Sequence, residues 1–239
     1  VQDLAEKMDK NPFVEERRRR NIDARKPEPT IDCFWKVMVG CLLTSAHRSG
    51  PKSKVAEFMR SESPLLQFEI VKANNGDKDW FVKLLSEGGV GRQNTIAKEL
   101  SFNFKVVKQD WDRTIRPQLA TLFTPSDRAA ERIIAQYIDD TFLGFGPKQA
   151  RNLLQILGLT RHEIPIDGRV LNWLNEKVFQ IPLQRGILSD SISYGIAMDG
   201  IWELCDRSGV LPCVFDAMVF AEADGNAWTQ EAVEKSRWC

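Results

Sequence analysis

Apolar residues recur along this chain at spacings of three and four, and period-two alternation is scarce. The pattern predicts short amphipathic helices punctuated by Gly and Pro. Lys26-Pro27-Glu28-Pro29-Thr30 marks a boundary, because the residue before a proline avoids helical geometry. Thr30 or Asp32 then caps a strongly apolar helix to about Leu43. Ser49-Gly50-Pro51 breaks before a helix through Lys54 to Met59, and Gly88-Gly89-Val90-Gly91 turns into a helix through Thr95 to Leu100. Thr124-Pro125 reads as a cap and first-turn proline for a helix carrying Ile133, Ile134, Tyr137 and Ile138. The next helix starts at Pro147 and sets Ala150, Leu153, Leu154 and Leu157 on one face, with Gly158 as its stop. Val170, Leu171, Trp173 and Leu174 begin another buried helix, and Ile192 to Phe220 is mostly helical with a break at Pro212. No repeat or low-complexity tract interrupts the series.

The fold expected is therefore all-α. The chain has 239 residues, 43% hydrophobic and 28% charged, enough for one large or two small packed cores. The longest apolar run, Val37–Leu43 after Phe34 and Trp35, falls well short of the ~20 residues of a membrane span. The opening Val1-Gln2-Asp3-Leu4 lacks a basic-then-apolar signal layout, so the protein is expected not to be secreted. Cytoplasm or nucleoid is the setting expected in a prokaryote, and the nucleus in a eukaryote.

Charge narrows partners only slightly. Lys+Arg and Asp+Glu number 33 each, which weighs against a strongly basic nucleic-acid binder but leaves room for a local patch. Arg17-Arg18-Arg19-Arg20 is the obvious basic run, expected as a solvated helix face paired with Glu15 and Glu16. The five cysteines are irregularly spaced and only His47 and His162 accompany them, so neither a metal nor an iron–sulfur cofactor is expected. Reduced thiols are the default.

The chemistry concentrates in Leu143-Gly144-Phe145-Gly146-Pro147-Lys148 and, nineteen residues after Lys148, Asp167 in Ile164-Pro165-Ile166-Asp167-Gly168. A glycine turn opening a helix presents backbone N–H groups and a positive dipole end, suited to a DNA phosphate. Lysine in a first helical turn opposes the dipole, which favours the neutral amine that a Schiff base needs. A carboxylate at a helix N-cap stays ionised and stabilises positive charge. Plainer roles also fit: a helical turn with a glycine stop, a phosphate contact for Lys148, a simple cap for Asp167.

These residues resemble the helix-hairpin-helix DNA glycosylase superfamily, and within it the 8-oxoguanine glycosylase/lyases. The family hairpin, hydrophobic-Pro-Gly-Val-Gly-x-Lys followed by Val/Ile-Pro-Val/Ile-Asp, corresponds to Phe142–Lys148 and Ile164–Asp167. Weaker similarity runs from about Phe34 to Trp173. The resemblance implies two helical subdomains with an active-site cleft between them, residues 51–160 forming one and residues 1–50 plus 161–239 the other. It implies a bifunctional glycosylase/AP lyase of base-excision repair, working as a monomer on duplex DNA with a damaged or modified base. Lys148 would be the nucleophile and Asp167 the stabilising carboxylate. Gly144, Phe145, Gly146 and Arg151 would bind phosphate. His47 or Arg48, in the Thr44–Arg48 segment, would fill the gap left by the extruded base, and Arg92 or Gln93 would wedge beside it. Asn152 and Trp238 would line the base pocket, although Phe215, Phe220 and Trp238 also fit core positions. Leu143 replaces the usual hairpin proline, Asn152 stands where the eukaryotic 8-oxoguanine enzymes place a cysteine, and the four-cysteine cluster loop is absent. A glycosylase for another modified base, a non-catalytic hairpin DNA-binding module and an all-α protein interaction domain are the alternatives.

Overall fold

The computed structural model describes residues 1–23, 28–45, 47, 49–124, 127–180 and 182–238. Among them are fourteen α-helices and no strand. No helix among them is long and apolar enough to cross a membrane. In chain order the helices are α1 (Gln2–Met8), α2 (Pro12–Arg18), α3 (Ile31–Thr44), α4 (Lys54–Arg60), α5 (Phe68–Ala73), α6 (Lys78–Glu87) and α7 (Gln93–Asp110). Then come α8 (Arg116–Ala120), α9 (Arg128–Thr141), α10 (Pro147–Ile156), α11 (Gly168–Lys177), α12 (Ser191–Ser208), α13 (Pro212–Asp224) and α14 (Gln230–Lys235).

Local chemistry explains most of the boundaries. Thr30 caps α3 by accepting from Cys33 N–H at 3.1 Å, while Asp32 instead accepts from Phe68 N–H at 2.9 Å and ties α3 to α5. Gly158 ends the α10 segment with φ of +75°, a conformation glycine adopts without steric cost. Helix α9 starts three residues later than the Thr124-Pro125 signal suggests. Its cap is Asp127, whose Oδ1 accepts from Ala130 N–H at 2.7 Å, and Pro125 lies outside the described residues.

Two hydrophobic clusters organise the packing. One spans residues 34–159 and centres on Trp35, set edge-on to Phe68 and Phe104. The other joins Leu4 and Val14 to residues 164–233, around Tyr194 and Phe215. Helix α3 differs from the expected division at residue 50. Its buried Phe34 to Leu43 pack in the first cluster, because the helix is apolar on nearly all faces and needs a surrounding core.

The basic run is also unlike a uniformly solvated face. Arg19 pairs with Glu16 at 2.8 Å as expected, but Arg17 is only 6% exposed and donates to buried Asp216 of α13 at 2.7 Å. Helical geometry turns one arginine of the run inward, where α2 packs on α13. Cys33 is disulfide-bonded, so the expectation of reduced thiols applies to Cys41, Cys205 and Cys213, which are free and buried.

Candidate active site

The hairpin is built by a turn and an amide clamp. Phe145 N–H donates to Phe142 C=O at 3.2 Å, closing a β-turn whose third residue, Gly144, has φ of +84°. Asn103 of α7 is fully buried and holds Leu143 on both sides. Its Oδ1 accepts from Leu143 N–H at 2.8 Å, and its Nδ2 donates to Leu143 C=O at 2.9 Å. A proline at position 143 would offer no N–H to this clamp. The leucine that departs from the family pattern is thus fixed by another device.

Helix α10 follows directly, capped by Gly146 with Pro147 at its first position. Lys148 therefore stands in the first turn and is partly buried. Burial pulls its ammonium below the ordinary 10.5, against the opposing pull of Asp167, Cys41 and Asp216. No hydrogen bond or ion pair engages Lys148 Nζ among the described residues, so its lone pair is available once the proton leaves.

Asp167 arrives at Lys148 through a pinned linker. Glu131 of α9 is fully buried and its carboxylate accepts from the N–H groups of Arg161, His162 and Glu163 at 3.0, 2.8 and 2.9 Å. Tyr194 Oη accepts from Ile166 N–H at 2.6 Å and donates to Ile164 C=O at 3.0 Å. The chain then enters α11 with Asp167 as its cap, Oδ1 accepting from Arg169 and Val170 N–H at 2.8 and 3.1 Å. Oδ2 pairs with Arg169 at 3.1 Å. Arg169 itself bonds Ser49 C=O at 2.8 Å and Asp224 at 3.0 Å, and stacks on Phe220 at 4.0 Å.

Two spaces meet at this pair. A cavity of about 140 Å³ is walled by Phe13, Arg20, Asn152, Asp216, Phe220 and Trp238. An open groove of about 690 Å³ runs past His47, Gly146, Gln149, Asn172 and Arg185. Lys148, Asp167, Thr44 and Ser49 line both. The nucleophile and carboxylate candidates therefore sit at the junction of a small aromatic-walled cavity and a wide surface groove.

The other predicted residues divide. Gly146 lines the groove, with open space beside its Cα, and the N–H groups of Lys148 and Gln149 have no backbone acceptor among the described residues. Gly144 lies against the Glu99 carboxyl, which burial raises above its ordinary value. Phe145 buries its ring against Phe142 at 6.0 Å, and its N–H is engaged in the turn. Arg151 corrects the expectation of a phosphate contact. It is 4% exposed, ion-paired with fully buried Glu163, bonded to Pro147 C=O at 2.9 Å and stacked on Tyr194 at 4.4 Å. Its place on the inner face of α10 makes it a staple between hairpin and linker.

His47 lines the groove, and its Nε2 accepts from Gly91 N–H at 2.9 Å, joining the expected gap-filler to the expected wedge turn. Arg92 is exposed with φ of +58° and Gln93 begins α7. Neither lines the groove, and Arg48 lies outside the described residues. Asn152 and Trp238 both wall the cavity. Asn152 Nδ2 reaches Cys41 Sγ at 3.5 Å, and burial pushes that thiol up to about 12. Arg169, Asp216 and Arg185 were not singled out from the sequence. Arg169 follows Asp167 by two residues, a spacing that could have marked it, whereas Asp216 and Arg185 become visible only through long-range packing. No cluster of His, Cys, Asp and Glu suited to a metal ion occurs among the described residues.

No protein-family model matches the chain, and no curated protein matches it either. A solved structure does. The chain is similar to the crystal structure of the 8-oxoguanine DNA glycosylase of Thermotoga maritima, with a TM-score of 0.65 and 13% sequence identity. The similarity covers 95% of each chain. The protein therefore shares, over nearly its whole length, the all-α fold of that glycosylase structure.

Proposed function

We propose that the protein is a bifunctional DNA glycosylase and AP lyase of base-excision repair, acting as a monomer on duplex DNA that contains an oxidised purine, 8-oxoguanine in the first instance. The observation that carries this is the position of Lys148 and Asp167 where a small cavity meets a wide groove. The groove takes the DNA backbone, with Gly146, the free amides of α10 and Arg185 as phosphate contacts. The damaged nucleotide leaves the stack and its base enters the cavity.

The neutral Lys148 Nζ attacks C1′ of the extruded nucleotide. The bond from C1′ to the base breaks, its electron pair leaves with the base, and the base takes up a proton. The Asp167 carboxylate stabilises the positive charge that develops at the sugar. Opening of the sugar ring gives a Schiff base to Lys148. Loss of a C2′ proton then expels the 3′ phosphate by β-elimination and cuts the strand. No metal or organic cofactor is needed for these steps.

Borohydride trapping on damaged and abasic duplexes tests the assignment. A covalent adduct lost in Lys148→Gln, with DNA binding kept, is the expected result. Absence of any adduct across a lesion panel and abasic sites would overturn the lyase assignment and leave a DNA-binding module.

A further inference from the structure

Helices α9 and α12 run antiparallel, joined by side chains along their facing sides. Arg132 Nη2 donates to Gly195 C=O at 3.4 Å and to Asp199 at 2.8 Å, and Ser191 Oγ donates to Asp139 Oδ2 at 3.2 Å. Rising residue numbers on one helix thus meet falling numbers on the other. In such a pair, the residues just before the contacts turn to one side and the residues just after them to the opposite side. The preceding residues Glu131, Ile138, Tyr194 and Met198 are buried. The following residues Ile133, Asp140, Ile192, Ile196 and Gly200 are all exposed. Ile133, Ile192 and Ile196 keep 64%, 76% and 68% of their surface in solvent, the highest values among the described large hydrophobic residues. One exposed isoleucine needs no account, but three on one side of a helix pair form an apolar strip that a partner can cover.

Charge indicates what covers the strip. Asp140 and Asp190 flank the Ser191–Asp139 contact and so stand at the Ile192 end. Asp140 accepts from Gln136 Nε2 at 2.8 Å and Asp190 from Ser193 N–H at 2.7 Å, and no lysine or arginine pairs with either among the described residues. The Ser193 amide holds the Asp190 carboxyl below its usual value. At the other end the charges cancel, since Arg128 pairs with Asp206, Arg132 with Asp199 and Arg207 with Glu203. The strip therefore has an apolar middle and one anionic end. DNA phosphates and acidic lipid head groups are repelled there. A second copy would bring another anionic end and no unpaired cation to meet it.

We propose that this strip docks a segment of another protein, an amphipathic helix with an aliphatic stripe and with lysine or arginine at the end that meets Asp140 and Asp190. Two rows of side chains with a seam between them accept a helix laid along the seam, its apolar residues at i, i+3, i+4 and i+7. The cations match the two carboxylates and set the direction of the helix along the strip. None of the three isoleucines lines the cavity or the groove, so docking leaves Lys148 and Asp167 open to DNA. The docking surface goes beyond the glycosylase reading and does not depend on it.

The test titrates fluorescent helical peptides onto the full chain and reads anisotropy. The peptides carry leucines at the docking spacing, with lysines or glutamates at either end. A lysine peptide is expected to bind, and its glutamate counterpart about three-fold or more weakly. Ile196→Glu should weaken the lysine peptide by about ten-fold or more, and Ile192→Ser should act in the same direction. Asp140→Lys should reverse the order and favour the glutamate peptide. Binding of no peptide, or equal affinity whatever the charge, overturns the proposal. So does a wild-type dimer in sedimentation that Ile196→Glu dissociates, which would assign the strip to a second copy. Loss of duplex binding in Ile196→Glu would assign it to DNA and overturn the proposal likewise. Absent abasic-site trapping with peptide discrimination intact overturns the lyase assignment alone and leaves the docking surface standing.

Discussion

Asn103 and Leu143 face each other as a closed amide pair, the Asn103 side chain accepting from Leu143 N–H at 2.8 Å and donating to Leu143 C=O at 2.9 Å. The pair joins α7 to the hairpin that orients α10, and so connects that helix to the position of Lys148. Asn103→Leu is expected to lower stability by about 2–4 kcal/mol, since two buried hydrogen bonds vanish and two backbone groups stay behind. Leu143→Pro, although it restores the residue usual in the resembling family, is expected to cost about 1–3 kcal/mol by stranding Asn103 Oδ1. Urea unfolding measures both. A Leu143→Pro variant as stable as wild type would show that the clamp contributes nothing.

The hairpin illustrates what a linear pattern reveals. Helix stops at Gly158 and the cap at Asp167 were legible because they depend on a few neighbouring residues. The spacing of Lys148 to Asp167 was legible for the same reason. Asn103, Glu131 and Asp216 were not, because each looks like an ordinary polar residue on a helix. Only packing shows that Glu131 gathers three amides of the linker and that Asp216 faces Arg17. Arg151 misled for the converse reason: a basic residue one turn into a helix expected to bind phosphate suggests DNA, yet the 3.6-residue period turns it inward to Glu163.

The lysine gives a pH dependence with a definite sign. Burial holds Lys148 below its unfolded value of 10.5. Between the folded and unfolded values the unfolded chain binds more protons, so this residue makes stability rise with pH across that window. Its penalty is fully present below the folded value. Lys148→Gln should remove that rise, which denaturation of both proteins at a series of alkaline pH values would detect. Adduct formation should also accelerate with pH, with a midpoint below 10.5. Because Asp167 pulls the lysine upward, Asp167→Asn should move that midpoint lower still while slowing base release. A midpoint unmoved by Asp167→Asn would show that the two groups do not interact.

Arg169 is expected to be a positioning residue for Asp167. It ties the carboxylate to Ser49, Asp224 and the Phe220 ring at the same time. Arg169→Met keeps much of the stem but leaves two carboxylates without their cation. A loss of about 2–3 kcal/mol in stability is expected, discounted from fully buried pairs because the side chains keep some solvent contact. Base release should slow by about ten-fold or more through misorientation, with DNA binding much less affected. Arg169→Lys should recover charge but not the fork, and so only part of the rate. Full recovery by lysine would mean that charge alone matters at this position.

Gly40 tests the cavity wall. It lies in the middle of α3, where glycine ordinarily weakens a helix, and the Trp238 ring packs directly on it so that any Cβ there would overlap the indole. Gly40→Ala should gain helix propensity of up to about 1 kcal/mol yet displace Trp238. Gly40→Val enlarges the displacement. Because Trp238 also walls the cavity, the indole should become more accessible to solvent and to acrylamide quenching. Excision of a bulky purine should weaken in parallel, whereas trapping at an abasic site, which places no base in the cavity, should persist. Comparing Gly40→Ala with Trp238→Ala separates the causes. If the glycine acts only by seating the ring, the two variants lose base excision alike and the double variant loses no more than Trp238→Ala alone. A double variant with additive losses would show that Gly40 acts on α3 by a route independent of Trp238.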